Sequence, residues 1–167
     1  MSSTRLVLRA FAPGDLEPLL ATIDGEVLEW QGWDDRALAS FTAAFPASVG
    51  ARSHAGCPLN LVVLDAEADD EVIGQYSLQL RPGEAPHLGW WLGPRGRSRG
   101  LGTESLGLML SYVHEHLKMR SVVMGTAERN ERASRQMRAN GCREVGVSDH
   151  VLPKGETVRS RWFVHEA

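Results

Sequence analysis

A short apolar run, Leu88-Gly89-Trp90-Trp91-Leu92, stops at Gly93-Pro94. It gives way to Arg95-Gly96-Arg97-Ser98-Arg99-Gly100-Leu101-Gly102-Thr103, and a periodic helix follows. A strand, a loop of glycine and arginine and then a helix make a candidate phosphate cradle. The first N–H groups of a helix have no partner inside it, and the helix dipole is positive there. Glycine lets backbone approach an anion closely, and arginine adds charge in a fork geometry. The plain alternative is a turn, since glycines cluster in turns. The spacing fits neither the G-x-G-x-x-G fingerprint nor a P-loop, which needs Lys-Ser/Thr after its last glycine.

Helices and strands are predicted around this junction by periodicity. Arg5 to Phe11 alternates as a strand. Pro13-Gly14-Asp15 opens a helix with Leu16, Leu19, Leu20 and Ile23 on one face. Asp34-Asp35 caps a second helix containing Leu38, Phe41 and Phe45. Gly50 to Pro58 reads as a loop, Leu59 to Asp65 and Val72 to Leu80 as strands, and Pro86 to Leu92 as the next strand after the break at Pro82-Gly83. Leu106, Met109, Leu110, Val113 and Leu117 mark the helix after Gly100. Ser121 to Met124 is a short buried strand. Asn130 to Asn140 is a helix closed by Gly141, and Arg143 to Ser148 with Val158 to Val164 form a last antiparallel pair. Strands first, then strand–helix–strand–helix–strand, predict one mixed α/β sheet.

With 167 residues the chain suits one domain, 1–167, with its core at about 4–165. A net charge of −3 disfavours a general nucleic-acid or anionic-membrane binder, so the arginines near residue 97 point to a small anionic ligand. Cys57 and Cys142 lack metal-ligand spacing, and no metal site is expected. No signal peptide or membrane span is visible, which makes the cytoplasm the default compartment.

A second segment, Asn130-Glu131-Arg132-Ala133-Ser134, ends in Gly141-Cys142. Alone it is a capped helix. Together with Arg97, Gly100 and Gly102 it resembles the GNAT superfamily of acetyl-CoA-dependent N-acetyltransferases, which carries an R/Q-x-x-G-x-G/A loop and a later Asn-initiated helix ending Gly-Phe. The stretch Leu88 to Pro94 looks like that family's acetyl-CoA-binding strand. The opening Arg5 to Phe11, the leucine helix after Asp15 and Glu26-Val27-Leu28-Glu29-Trp30 are similar to its RimJ/RimL-like branch.

The resemblance implies a splayed mixed sheet flanked by helices. It implies pyrophosphate binding by the backbone of Arg97, Ser98, Arg99, Gly100, Leu101, Gly102 and Thr103, and pantetheine pairing at Trp91 and Leu92. It also implies a cofactor contact by Asn130 near the thioester. Two positions depart from the family pattern. Met137 stands where many members have a tyrosine that protonates the leaving thiolate, and Cys142 replaces the phenylalanine after Gly141. Ser134 is the alternative proton donor, or else a helix-surface residue. Thiolate departure also needs little help, since a thiol has a pKa of roughly 8.5 to 10.

His87, on the strand before Gly89, is the candidate base, because an imidazole accepts a proton near neutral pH. The other histidines, 54, 114, 116, 150 and 165, read as structural or solvated. Trp30, Trp33 and Trp90 line the acceptor pocket in this reading, though aromatic residues are more often core. Glu26, Glu29, Asp34 and Asp35 would suit a cationic amine, or be a solvated cap. The implied activity is transfer of acetyl from acetyl-CoA to a primary amine in a ternary complex, with a protein N-terminal α-amine first and a small amine or aminoglycoside-like antibiotic second. A homodimer is compatible with it. The rival is a non-catalytic module that binds acyl-CoA.

Overall fold

The computed structural model describes residues 1–50, 59–80 and 83–167. Seven strands form one sheet in the order β1-β2-β3-β4-β5-β7-β6: β1 Leu6–Ala10, β2 Leu59–Asp65, β3 Glu71–Gln79, β4 His87–Leu92, β5 Ser121–Ala127, β6 Arg143–Val151 and β7 Thr157–Glu166. Every neighbouring pair is antiparallel except β4 and β5. Those two run parallel and pair only at His87 and Val123, where the Val123 N–H donates to the Pro86 carbonyl at 2.8 Å. Beyond that point they diverge, which gives the mixed sheet its splay.

Both faces of the β1–β4 half are covered, so all seven residues of β2 are buried rather than alternating. One face packs Leu8, Leu61, Tyr76 and Leu88 against α4, Leu101–Ser111, through Leu106 and Met109. The other packs Val62, Leu64 and Trp91 under α1 (Leu16–Ala21), α2 (Gly25–Gln31) and α3 (Asp35–Ser48), through Leu19, Val27 and Phe45. A fifth helix, α5 (Glu131–Ala139), puts Met137 into the first of these layers.

Local chemistry explains where the sequence reading and the chain differ. The predicted helix through Ile23 stops at Ala21. The Thr22 hydroxyl donates to the Leu19 carbonyl at 2.7 Å, and Asp24 caps a new helix, α2, by accepting from the Val27 N–H at 2.9 Å. The helix capped by Asp34 is therefore the third; Asp34 accepts from the Ala37 N–H as expected. After Ser111, α4 widens into a π-turn over Tyr112–His116, so the straight apolar face drawn to Leu117 is broken there. The strand at Ser121 runs three residues past Met124, and the last strand pair is longer than predicted. Asn130 and Gly141 bound α5 as expected, Gly141 with φ of 77°. The predicted loop from Gly50 to Pro58, with His54 and Cys57, lies outside the described residues from position 51 on, as do Arg81 and Pro82.

Candidate active site

The glycine–arginine loop joins the end of β4 to the N-terminus of α4. Ser98 and Gly100 both adopt left-handed backbone, at φ of 62° and 78°. That alternation turns successive N–H groups toward one side, as in anion-binding nests. The N–H groups of residues 98 to 102 find no acceptor among the described residues, whereas the Arg97 N–H is taken by Pro94 and the Thr103 N–H by Gly100. Gly102 is buried, and a Cβ there would run into the Gln136 carboxamide. Leu101 offers only its backbone, because its side chain is in the core. The cradle fits a phosphate-bearing ligand.

The loop arginines do not behave as expected of phosphate ligands. Arg97 donates to both Asp24 oxygens at 2.8 and 2.9 Å, to Glu26 at 3.0 Å and to the Leu92 carbonyl at 2.9 Å. Arg99 is held by Asp65 and Glu67, and Arg95 pairs with Glu71 at 2.9 Å. The carboxylates of α2 and of the β2–β3 turn have captured the guanidiniums, which now anchor the loop to the body. The Arg97 guanidinium holds the Asp24 carboxyl at about 2, below the ordinary 3.8, mainly by its hydrogen bonds. A depressed carboxyl contributes stability that is complete above its unfolded pKa and is lost as pH falls through its folded value. Thermal stability should therefore decline between about pH 4 and pH 2, with less of that decline in Arg97→Gln, as melting scans across this range would read.

The backbone at the splay is arranged one residue away from the expected place. Gln75 stands opposite Trp91, and the Gly93 N–H donates to Ile73. In an antiparallel ladder such groups alternate. Trp91 therefore turns its backbone toward β3, and its indole donates to the Thr22 hydroxyl at 3.0 Å. Trp90 and Leu92 face the gap instead. Their carbonyls already accept from Gln31, at 2.9 Å, and from Arg97.

A cavity of about 1180 Å³ runs from the loop through this gap to the sheet face beneath α3. Trp30, Trp33, Trp90, His87 and Asn130 all line it. The Arg129 guanidinium lies 5.0 Å from the ring centre of Trp30, Trp33 packs edge-on against Trp91, and Trp90 stacks on Tyr76. Asn130 spends its side-chain oxygen on the Ala133 N–H as the cap of α5. Ser134 is fully buried, donates to the Asn130 carbonyl at 3.1 Å and is absent from the lining; its helical position favours this back-bond over a role as proton donor. It is not the helix-surface residue of the alternative reading either. Neither tyrosine lines the cavity. Burial pushes the Cys142 thiol up to about 11, so it is no thiolate near neutral pH.

The acidic residues beside the tryptophans are also committed. Glu26 accepts from Arg97, Arg132 and the Trp30 indole, Glu29 pairs with Arg129, and Asp34 caps α3. Asp35, in the first turn of α3, is the one of the four expected acids without a side-chain partner among the described residues. What sequence reasoning missed is polar and aromatic: Asn60, Gln75 and Ser77 on the cavity floor, and His150 and Trp162 on the far wall. His87 and His150 flank Trp162, with ring centres 5.9 and 5.4 Å from it. Only the strand alternation of β2, β3, β6 and β7 could have signalled these positions, and it does not say which face is open.

A family model described as an acetyltransferase (GNAT) domain matches residues 5–143. The chain belongs to the GNAT acetyltransferase family. No curated protein matches it significantly. Solved structures share the GNAT fold at low identity. A GNAT-family acetyltransferase from Bacillus anthracis has TM-score 0.79 and 19% identity, over 99% of this chain and 96% of that one. Spermidine N-acetyltransferase from Vibrio cholerae, in complex with CoA and spermine, has TM-score 0.76 and 16% identity, over 98% and 96%. Ribosomal-protein-S5-alanine acetyltransferase from Vibrio fischeri has TM-score 0.73 and 14% identity, over 99% and 95%. GNAT enzymes use acetyl-CoA. Among the described residues, no group of three or more potential ligands could hold a metal, and no helix is long and apolar enough to cross a membrane.

Proposed function

We propose that this GNAT protein is a single-domain N-acetyltransferase that moves the acetyl group of acetyl-CoA to a primary amine by direct attack in a ternary complex. The carrying observation is one continuous cavity that begins at unpaired N–H groups on the α4 N-terminus and passes His87 to the sheet face beneath α3. The N–H groups of residues 98–102 bind the pyrophosphate, and the backbone of Trp90 and Leu92 faces the pantetheine arm. Acetyl-CoA supplies an activated acyl group with a good leaving thiolate. The amine reaches the thioester from the side of Trp30 and Trp33, whereas the Trp90 ring, stacked on Tyr76, sits on the α4 face. His87 takes the amine proton, and holding both substrates together supplies much of the rate. The acceptor is a protein N-terminal α-amine or a small amine, as the RimJ/RimL-like opening suggests, in a reducing cytoplasm.

The loop is tested by Gly100→Ala. A side chain at φ of 78° is strained by about 1 kcal/mol. The N–H array should shift and acetyl-CoA affinity fall about tenfold by calorimetry. Unchanged affinity in the folded variant would take the loop out of the site. Release of free thiol with an amine panel separates turnover from an acyl-CoA-binding module, which would bind without release.

A further inference from the structure

Three rows of directly paired residues cross the sheet under α3. They are Val62–Gln75–Trp91, Asn60–Ser77–Gly89 and Gln79–His87. Because side chains alternate along strands, all three rows face the same side, and that side is the cavity floor. Asn60, Gln75, Ser77, Gln79, Gly89 and His87 all line it. A Cβ on Gly89 would meet nothing within 4 Å, so the middle row opens a space next to His87.

Three of the polar side chains in these rows, Asn60, Gln75 and Ser77, make no side-chain hydrogen bond among the described residues. Gln75 is only 5% exposed, yet its Oε1 is buried without a hydrogen-bond partner among the described residues. The side chains of Asn60 and Ser77 likewise make no hydrogen bond among the described residues, although Asn60 is only 9% exposed. Fold stability alone gives no reason for this, since a buried unpaired carboxamide is destabilising and an aliphatic side chain of the same size would fill the position better. A carboxamide without an internal partner can turn its oxygen to an N–H or O–H brought into the cavity. It can also offer its own N–H groups in return. The charge of the floor is equally informative. It carries no carboxylate, and Glu26 and Glu29, beside Trp30 on α2, are neutralised by Arg97, Arg129 and Arg132, while Asp34 and Asp35 after Trp33 lie outside the cavity lining. A polycation would leave water for a site with no free counter-charge.

We propose that Asn60, Gln75 and Ser77 form the acceptor-selecting subsite. It takes a primary amine whose neighbouring groups are uncharged and both donate and accept hydrogen bonds, an amide or an alcohol, in preference to a polyamine. This rests on the N-acetyltransferase reading above. Gln75 is the specificity-determining residue, because it is the most deeply buried of the three and stands in the row beside the open space over Gly89.

The test compares alaninamide, 2-aminoethanol and spermidine as acceptors in the full-length protein with acetyl-CoA. The first two distinguish an amide from an alcohol. The better neutral acceptor should have a higher kcat/KM than spermidine. Gln75→Leu should raise its KM about five- to tenfold, the scale of one hydrogen bond, with acetyl-CoA affinity within about twofold and no loss of Tm. Gln75→Glu keeps the shape and should shift preference toward spermidine, which keeps the test valid if the leucine variant folds poorly. Preference for spermidine in the parent, or unchanged KM in both variants, overturns the proposal. Acetyl-CoA binding without turnover of either neutral amine also overturns it and leaves the cofactor reading standing. Failure of acetyl-CoA to bind overturns the N-acetyltransferase reading itself.

Discussion

Replacing His87 by alanine is expected to lower kcat by about 10²–10⁴-fold, the usual scale of general base catalysis. His87 sits at the single paired position of β4 and β5, where the splay begins. Its ring is fixed edge-on against Trp162 and lines the cavity. A base there stands between the gap and the acceptor floor. Acetyl-CoA affinity should barely change, because the backbone cradle lies at the far end of β4. The acid limb of the pH–rate profile should vanish with the imidazole. His150→Ala is the control, since His150 faces the same Trp162 from the other side and lies on the outer strand β6. A His87→Ala enzyme with the parental kcat and pH profile would remove the base and leave substrate positioning as the mechanism. An equal loss in His150→Ala would mean that the Trp162 wall, rather than one imidazole, carries the effect.

Arg97→Ala should produce the largest stability loss of any loop substitution. The side chain is mostly buried and makes four hydrogen bonds, three of them to carboxylates that are about one-third exposed. Removing it leaves Asp24 with no cation among the described residues and Glu26 with Arg132 alone at the N-terminus of α2. Hydrogen bonds to charged groups and the penalty of an unpaired charge suggest a loss of about 1–3 kcal/mol, discounted for the exposure of the carboxylates. At this chain length that is a fall in Tm of about 3–10 °C. The Michaelis constants for acetyl-CoA and for the acceptor should both rise, because α2 carries Trp30 and Gln31 on the cavity wall. Arg97→Lys should recover little, since an ammonium cannot reproduce the two-pronged contact with Asp24. If Tm is unchanged and only acetyl-CoA affinity falls, the guanidinium leaves its carboxylates to hold phosphate, and the anchoring role is wrong.

How much of this was readable beforehand depended on whether a signal was local. The loop from Arg97 to Thr103, the helix after it and the Asn130 and Gly141 boundaries of α5 are written in neighbouring residues, so they were legible. The break between α1 and α2 was not. It turns on the Thr22 hydroxyl and the Asp24 cap overriding a continuous apolar periodicity. The fate of the arginines was hidden for a different reason. Arg97 meets Asp24 and Arg99 meets Asp65 only after the chain has closed over 73 and 34 residues. Ser134 looked available because a hydroxyl is a donor anywhere in a sequence; only the helix shows it spent on the Asn130 carbonyl. Asn60, Gln75 and Ser77 sit in strands whose alternation is visible, but which face remains open depends on where α3 lies.

Around the cradle, three guanidiniums from Arg95, Arg97 and Arg99 face five carboxylates from Asp24, Glu26, Asp65, Glu67 and Glu71. Adding Arg132 and Arg135 of the cavity wall, the latter with no acid partner among the described residues, only balances these carboxylates, so the approach to the N–H array is not a strongly positive funnel. An incoming polyphosphate is drawn by short-range dipoles rather than by a long-range field, so its capture should be neither diffusion-enhanced nor strongly sensitive to ionic strength. Raising salt from low to physiological should leave the association rate nearly flat, and ligand selection should be made at contact, by fit to the curve of the backbone.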